Sequence, residues 1–476
     1  MMQKVFITTA IDYTNDVIHL GHSYQKVLAD CISRYFRQKG EDVFYMTGTD
    51  EHGGKVEESA KNAGLSPKEF VDKIVEKNIS EWISLNLNYQ RFMRTTDPDH
   101  RKVVTEFWLQ CAKNGDIYLG KFEGKYCLGC EEYKEEKDLE NDLCPLHKTK
   151  SIQIISEENY FFKWSKYQNA LSELYRLHPE FVKPEKARNE MLAFLESGIS
   201  DIAISRSKAK LSWGIPVPGD DTQTIYVWFD ALINYYTAGK SAGYWGENTE
   251  IIHILGKDNL RWHALLWPAM LMSAGYDLPT TIYSHGFINL SGQKISKSLG
   301  NVIRPSELVG KWGSDAVRYY LLRFGPQIND SDLSLEKLKS VFDSELANDW
   351  GNLVSRVIKL ASNQQLVNKA LKVNFDKDYS QMVENFKISE AISLVMSWVR
   401  EVNEEINEVE PWKMESGDEL NNYLTKWLQD IQKIAFHLSP AMPTTSNKVL
   451  EGISGGIQPI PPLFPKIQTD LKTNVL

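Results

Sequence analysis

Three cysteines and a histidine carry the most specific chemistry in this chain. Cys127-x2-Cys130-x13-Cys144-x2-His147 offers three thiolates and one imidazole from two short knuckles, the donor set and spacing of a closed tetrahedral zinc site. All four ligands are protein groups, so no position stays open for an activated water and the ion is expected to be structural. The chain has five cysteines, an odd number, and their clustering favours metal over disulfide chemistry. Cys31 and Cys111 stand alone in apolar helical patterns and read as small buried hydrophobes.

Two polar motifs suit a polyphosphate. His19-Leu20-Gly21-His22 follows a β-branched run and opens a helical pattern, where backbone N–H groups and the positive dipole end favour phosphate. Gly21 there would let a flat base approach the main chain. Lys294-Ile295-Ser296-Lys297-Ser298 lies in a glycine-flanked polar loop. Its two ammonium groups could grip a pyrophosphate, each ion pair worth up to ~4 kcal/mol at about 4 Å and an effective dielectric near 20. Taken singly, each motif equally suits a blander role: histidines capping a helix, and a solvated basic loop. Neither a G-x-G-x-x-G nor a G-x-x-x-x-G-K-[ST] pattern occurs, so these two motifs would have to make any nucleotide site.

Such groups need a frame. Val5 to Ala10 is strand-like, and Leu20, Val27, Leu28, Cys31, Ile32, Tyr35 and Phe36 form a helical stripe that ends at Gly40. Val43 to Met46 is a second apolar run, completing a βαβ unit of the kind buried in a parallel sheet. The alternation returns with Ile251 to Leu255, a helical stretch over Arg261 to Ser273, and Thr281 to Tyr283. The sheet is therefore expected to be split by an insertion, about residues 116–225, that contains the cysteine cluster. From Ser331 onward amphipathic patterns such as Leu346, Trp350, Leu353, Val354, Val357 and Leu360 predict a helical terminal domain. Pro459 to Pro465 reads as an extended tail packed on the body.

Composition narrows the classes further. The 476 residues are 42% hydrophobic and 25% charged, which suits a folded protein of several domains. Its 54 Lys and Arg against 63 Asp and Glu give a net charge of −9, so nucleic acid would need local basic patches. The longest apolar run, Ala264 to Met272, contains Pro268 and falls well short of the ~20 residues a membrane span requires. No membrane association is expected. Strand-like sequence from Val5 leaves no room for a leader, so a cytoplasmic location is expected.

In order and in context, HLGH and KISKS within a split parallel sheet resemble the HIGH and KMSKS signatures of class I aminoacyl-tRNA synthetases. Further segments narrow the resemblance to the methionyl-tRNA synthetases over nearly the whole chain: Thr9-Ala10-Ile11-Asp12-Tyr13, Thr47-Gly48-Thr49-Asp50-Glu51-His52-Gly53, Val227-Trp228-Phe229-Asp230-Ala231, Gly256-Lys257-Asp258 and His263-Ala264-Leu265-Leu266-Trp267-Pro268-Ala269. The resemblance implies an α/β fold with five parts. Residues 1–115 and 226–285 would be the halves of a Rossmann-type parallel-sheet catalytic domain, and 116–225 the connective insertion with its zinc knuckle. Residues 286–345 would be the KISKS loop and stem-contact region, and 346–476 an α-helical bundle that binds the anticodon and ends in the tail. The single knuckle resembles that of the one-zinc branch.

The implied activity is ATP-dependent conversion of L-methionine to methionyl-adenylate and its transfer to tRNA(Met), with Mg²⁺ accompanying ATP. On matching positions, His19, His22, Lys294 and Lys297 would be catalytic, and Gly21, Gly256, Asp258, Ser296 and Lys297 would contact ATP. Ala10, Ile11, Tyr13, Asp50, Trp228, Ala231, Tyr235, His263 and Trp267 would form the methionine pocket, Asp50 meeting the α-ammonium. A thioether suits an aromatic box, each sulfur–ring contact adding ~0.3–1.5 kcal/mol. Without the resemblance, His263 and Trp267 at i, i+4 would read as one buried helix face. Asn352, Arg356 and Trp412 match residues that recognise the CAU anticodon, by edge hydrogen bonds and base stacking.

Departures are aliphatic exchanges within HLGH and KISKS. The chain ends near residue 476 without the appended tRNA-binding and dimerising domain of many relatives, so a monomer is expected, compatible with a separate tRNA-binding subunit. Two alternatives stand beside this expectation. One is a class I synthetase for another amino acid, against which the closed four-ligand knuckle and the short insertion speak. The other is a non-catalytic tRNA-binding protein, against which the intact HLGH and KISKS speak.

Overall fold

The computed structural model describes residues 2–465 and 467, apart from 128, 131, 135–137, 147–151, 296–300 and 369–370. Its central sheet is built from Lys4–Thr9 (β1), Asp12–Tyr13 (β2), Asp42–Asp50 (β3), Arg91–Arg94 (β4), Val182–Lys183 (β5), Thr249–Gly256 (β6) and Thr281–His285 (β7). Every pairing in it is parallel. Met46 on β3 faces Thr8 of β1 on one side and Arg91 of β4 on the other. The order across the sheet is thus β4–β3–β1–β6–β7–β5, with β2 continuing the line of β1 along β3.

The near-continuous apolar character of β1, β3 and β6 follows from burial on both faces. Val5, Ile7, Tyr45, Ile252 and Ile254 enter one core, whereas Phe6, Met46, Ile251 and Leu255 enter the other. The helix Leu20–Lys39 covers the first face with Val27, Leu28, Ile32, Tyr35 and Phe36. It stops at Gly40, whose φ of 97° is the left-handed C-cap that glycine adopts without cost. Because the chain turns from β1 toward β3 while β6 lies on the opposite side, strand order reverses between β1 and β6. Open parallel sheets bind ligands beyond the carboxyl ends at such a reversal.

The insertion is largely antiparallel. Ile117–Cys127 pairs along its whole length with Ile152–Phe162, and shorter strands flank the pair. One piece of the inserted sequence joins the main sheet: β5 docks on β7 as an edge strand. A two-residue strand has no periodicity to read, which is why sequence pattern did not reveal it.

Helices Asn352–Asn363, Ile388–Val409, Asp418–Leu438 and Pro443–Gly452 form the terminal bundle, packed around residues such as Leu353, Val357, Val395, Leu424 and Trp427. This core is continuous with the β1 face of the sheet. Arg318, fully buried, ties the two regions: it pairs with Asp30 at 2.7 Å and donates to the carbonyls of Leu85, Pro440 and Ala441. The tail packs on the body as expected, with Phe464 buried against Phe342 at 5.8 Å. Among the described residues no helix is long and apolar enough to cross a membrane.

Candidate active site

HLGH stands at the start of Leu20–Lys39, beyond the end of β1. His19 is the N-cap residue, and its Nδ1 accepts the Gly21 N–H at 3.1 Å, while the His19 N–H donates to His22 Nδ1 at 3.2 Å. This is a reciprocal cap made by two imidazoles, in place of the usual hydroxyl and carboxylate. Since both Nδ1 atoms accept, the proton on each ring sits on Nε2. Burial, with Lys26 adding to it, pushes His22 down to about 4, so it is neutral at physiological pH. A Cβ on Gly21 would lie 2.8 Å from the His19 ring, so the glycine is first a requirement of this cap.

The same Cβ position is 3.9 Å from Ile295 Cδ1, and the Leu20 N–H donates to the Ile303 carbonyl at 2.9 Å. Ile295 and Ile303, which flank residues 296–300, therefore lie against the HLGH helix start. Ile295 is buried, and Gln293–Lys294 forms a short strand that faces Asn289 and Leu290. Ser296 and Lys297 lie outside the described residues.

Gly256 ends β6 opposite His285 at the end of β7. A Cβ on Gly256 would come 2.8 Å from Asp258 Oδ1, so only glycine lets that carboxylate sit over the strand end.

On the other flank of the reversal, Tyr13 and Asp50 are register partners at the ends of β2 and β3. Ala10 and Ala231 are buried and Ile11 is half-buried. The Ala10 N–H donates to Ile254 at 3.0 Å, which fastens the segment to β6. Trp228 stacks on Trp262 at 4.8 Å. His263 Nδ1 lies 2.8 Å from the Asn259 carbonyl, which can only accept, so Nδ1 carries the proton and Nε2 takes the Tyr235 O–H at 2.7 Å. Burial pushes His263 down to about 4 and raises the Tyr235 phenol. The chain of donors is neutral and fully spent. Trp267 lies 6.2 Å from the Tyr235 ring. It sits behind a wider-than-α turn over Trp262–Leu266, a distortion common at functional sites.

Several supporting residues were missed by sequence reasoning. The Trp267 indole N–H donates to His253 Nε2 at 3.2 Å, so the other nitrogen of His253 donates to Thr8 Oγ1 at 2.7 Å. Burial drives His253 well below the ordinary histidine value, and His263 adds to this. The available signal was a lone histidine in the apolar run Ile251 to Leu255. Asp230 bridges His52 at 2.5 Å and His100 at 2.8 Å. Burial alone would raise its carboxyl, yet the two imidazoles outweigh it and hold it down at about 2. This bridge locks the helix Val227–Leu232, which carries Trp228 and Ala231, to the end of β3. Its parts are spread over the sequence, and no spacing links them.

In the bundle, Arg356 lies 5.3 Å above the Trp412 ring and donates to Asn407 Oδ1 at 3.0 Å. Asn352 is exposed one turn before it, and Trp412 is 53% exposed. A planar cation over an exposed ring, flanked by two amides, can stack and read unpaired bases.

The sulfurs of Cys127, Cys130 and Cys144 all lie within 4.8 Å of one another, with Cys130 and Cys144 at 3.5 Å. Zn–S bonds of ~2.3 Å in a tetrahedron need roughly that sulfur spacing, so the three can hold a metal ion. His147 lies outside the described residues.

The family model for class I tRNA synthetases (M) matches residues 5–154 and 129–358. The methionine–tRNA ligase of Nostoc sp. is 40% identical over 96% of this chain and 91% of its own length. That of Thermotoga maritima is 41% identical over 95% and 75%. Among solved structures, methionyl-tRNA synthetase of Mycobacterium tuberculosis in complex with methionyl-adenylate superposes with a TM-score of 0.88 at 30% identity, over 98% of this chain and 100% of that one. Its free state gives 0.81 at 27% identity, over 98% and 99%.

Proposed function

The chain belongs to the methionyl-tRNA synthetase family of class I, and on that premise we propose that it is a methionine–tRNA ligase whose crevice at the β1/β6 reversal performs both half-reactions. The observation that supports this reading is the position of HLGH at the β1/β6 reversal, with Ile295 and Ile303 against the same helix start.

In the first step a methionine carboxylate oxygen forms a bond to the α-phosphorus of ATP, and the bond from that phosphorus to the bridging oxygen breaks. The electron pair leaves with pyrophosphate. No protein atom bonds to the substrate, so acceleration comes from alignment and from donors placed where charge develops. His19 and His22 offer Nε2–H groups to the triphosphate from the helix start. Lys294 and Lys297, with Ser296, neutralise the departing pyrophosphate. Gly21 and Gly256 border the nucleotide, and Asp258 accepts from the ribose. Mg²⁺ enters with ATP and screens its charge.

Tyr13, Trp228, Tyr235, His263 and Trp267 enclose the thioether, with Ala10, Ile11 and Ala231 completing the walls. Asp50 takes the α-ammonium in a charge-assisted bond. In the second step a terminal ribose hydroxyl of tRNA attacks the adenylate carbonyl and forms an ester. AMP departs with the electron pair of the broken acyl–oxygen bond of the mixed anhydride, and the hydroxyl proton passes to the departing phosphate. Asn352, Arg356 and Trp412 select the tRNA by its CAU anticodon.

The metal that best suits three thiolates joined by His147 is zinc, in a closed structural site. The five-part division of the chain, a monomeric state compatible with a separate tRNA-binding subunit, and a cytoplasmic location complete the reading. It is tested by charging purified tRNA(Met) and an anticodon-altered copy with labelled methionine. Charging confined to the CAU transcript is expected. Equal charging of both, or none, would overturn the reading.

A further inference from the structure

Lys26 lies one helical turn beyond His22 and is fully buried. An ammonium taken out of water costs several kcal/mol unless its protons are placed. Here two go to Thr9 Oγ1 at 2.9 Å and the Ala10 carbonyl at 2.6 Å, and Asp12 Oδ2 lies 3.2 Å away as the counter-charge. Its acceptors all belong to the segment that leaves β1. While accepting from Lys26, the Thr9 hydroxyl also shares a hydrogen bond with Thr47 Oγ1 on β3, 2.8 Å away. Just beyond Asp12, Tyr13 pairs with Asp50, and Thr14 closes on the Asp50 carbonyl through both its N–H and its hydroxyl at 3.0 Å. One ammonium therefore fixes the path from Thr9 to Tyr13 relative to the end of β3.

We propose that Lys26, with Asp12 as its charge partner, is a positioning residue for the amino acid, holding Tyr13 and Asp50 in the relation that binds methionine. The proposal rests on the reading that these two residues hold the substrate. It makes the helix that presents His19 and His22 to phosphate also the scaffold of the amino-acid side, so both ends of the reaction share one rigid element. A methionine at position 26 fills similar volume but supplies no donor, leaving the Ala10 carbonyl to Gln25 alone, at 3.3 Å.

The test is steady-state ATP–pyrophosphate exchange with methionine and ATP varied in turn, for the unaltered protein, Lys26→Met, the double variant Lys26→Met/Asp12→Asn, and Val395→Ala. The last is a destabilised control in the core of the helical bundle. In both position-26 variants KM for methionine is expected to rise about tenfold or more, while KM for ATP stays within about threefold. Val395→Ala should lower the melting temperature and leave KM for methionine alone. Should Lys26→Met not fold, the double variant is decisive, because removing both members of a buried pair spares the fold the cost of a lone charge. A folded double variant with an unchanged KM for methionine overturns the proposal. Absence of methionine exchange in the unaltered protein would overturn the functional reading and this proposal with it.

Discussion

The two ends of the crevice are built on opposite plans. At the amino-acid end four side chains have spent their donors: Tyr235 on His263, His263 on Asn259, Trp267 on His253, His253 on Thr8. At the phosphate end the cap takes Nδ1 of both His19 and His22, which fixes the ring proton of each on Nε2. The difference follows from the two tasks. Selecting a thioether requires a dry pocket of fixed shape, because one methylene is worth only ~1–3 kcal/mol. Stabilising a moving charge requires donors whose protons are fixed in place before the charge develops.

The largest expected effect breaks the phosphate end alone. His22→Ala should lower kcat for methionine-dependent pyrophosphate exchange about 10²–10³-fold, with KM for methionine little changed. Measuring both constants checks the division, and a shift mainly in KM for methionine would contradict it. Next, Trp412→Ala removes a stacking plane remote from either end, worth ~1–3 kcal/mol per base, roughly five- to 150-fold in kcat/KM for tRNA(Met). Exchange without tRNA should stay normal, so the ratio of the two assays is the readout.

A smaller effect sharpens the amino-acid end. Tyr235→Phe strips His263 Nε2 of its donor, costing about 1–2 kcal/mol, roughly five- to thirtyfold in KM for methionine. KM for ATP should be unaffected.

The smallest effect concerns pH, where both ends behave alike. His22, His263 and His285 are each pushed down to about 4 by burial, and His253 well below its ordinary value. A histidine depressed on folding contributes stability that is present above its unfolded value near 6.5 and lost as pH falls through the folded value. Asp12 runs the other way. Burial raises it to about 6 against the pull of Lys26, so its contribution is present below its unfolded value of 3.8 and lost as pH rises through 6. Four histidines outweigh one carboxyl, so the urea midpoint should fall between pH 6.5 and about 4. A flat profile would contradict the neutral-imidazole account.

Much of this arrangement was legible in the sequence. HLGH, KISKS and the cysteine spacing are local patterns, visible before any fold is known, and the alternation around Val5 and Val43 marked strands that do pair in the parallel sheet. What could not be read were contacts between distant segments. Asp230 meets His52 and His100 from 178 and 130 residues away, and Lys26 meets Asp12 across a helix entry. Buried polar pairs leave no periodicity, since each member looks like an ordinary surface residue until the fold removes it from water. The role of Gly21 was half legible: its need for a bare Cα is set first by the His19 ring rather than by a bound base.

The central claim is that this crevice activates methionine. It is tested most directly by amino-acid-dependent ATP–pyrophosphate exchange, with Mg²⁺ and each of the twenty amino acids in separate reactions. Exchange with methionine alone is the predicted result. Exchange with a different amino acid would contradict the pocket, and no exchange with any would contradict the account as a whole.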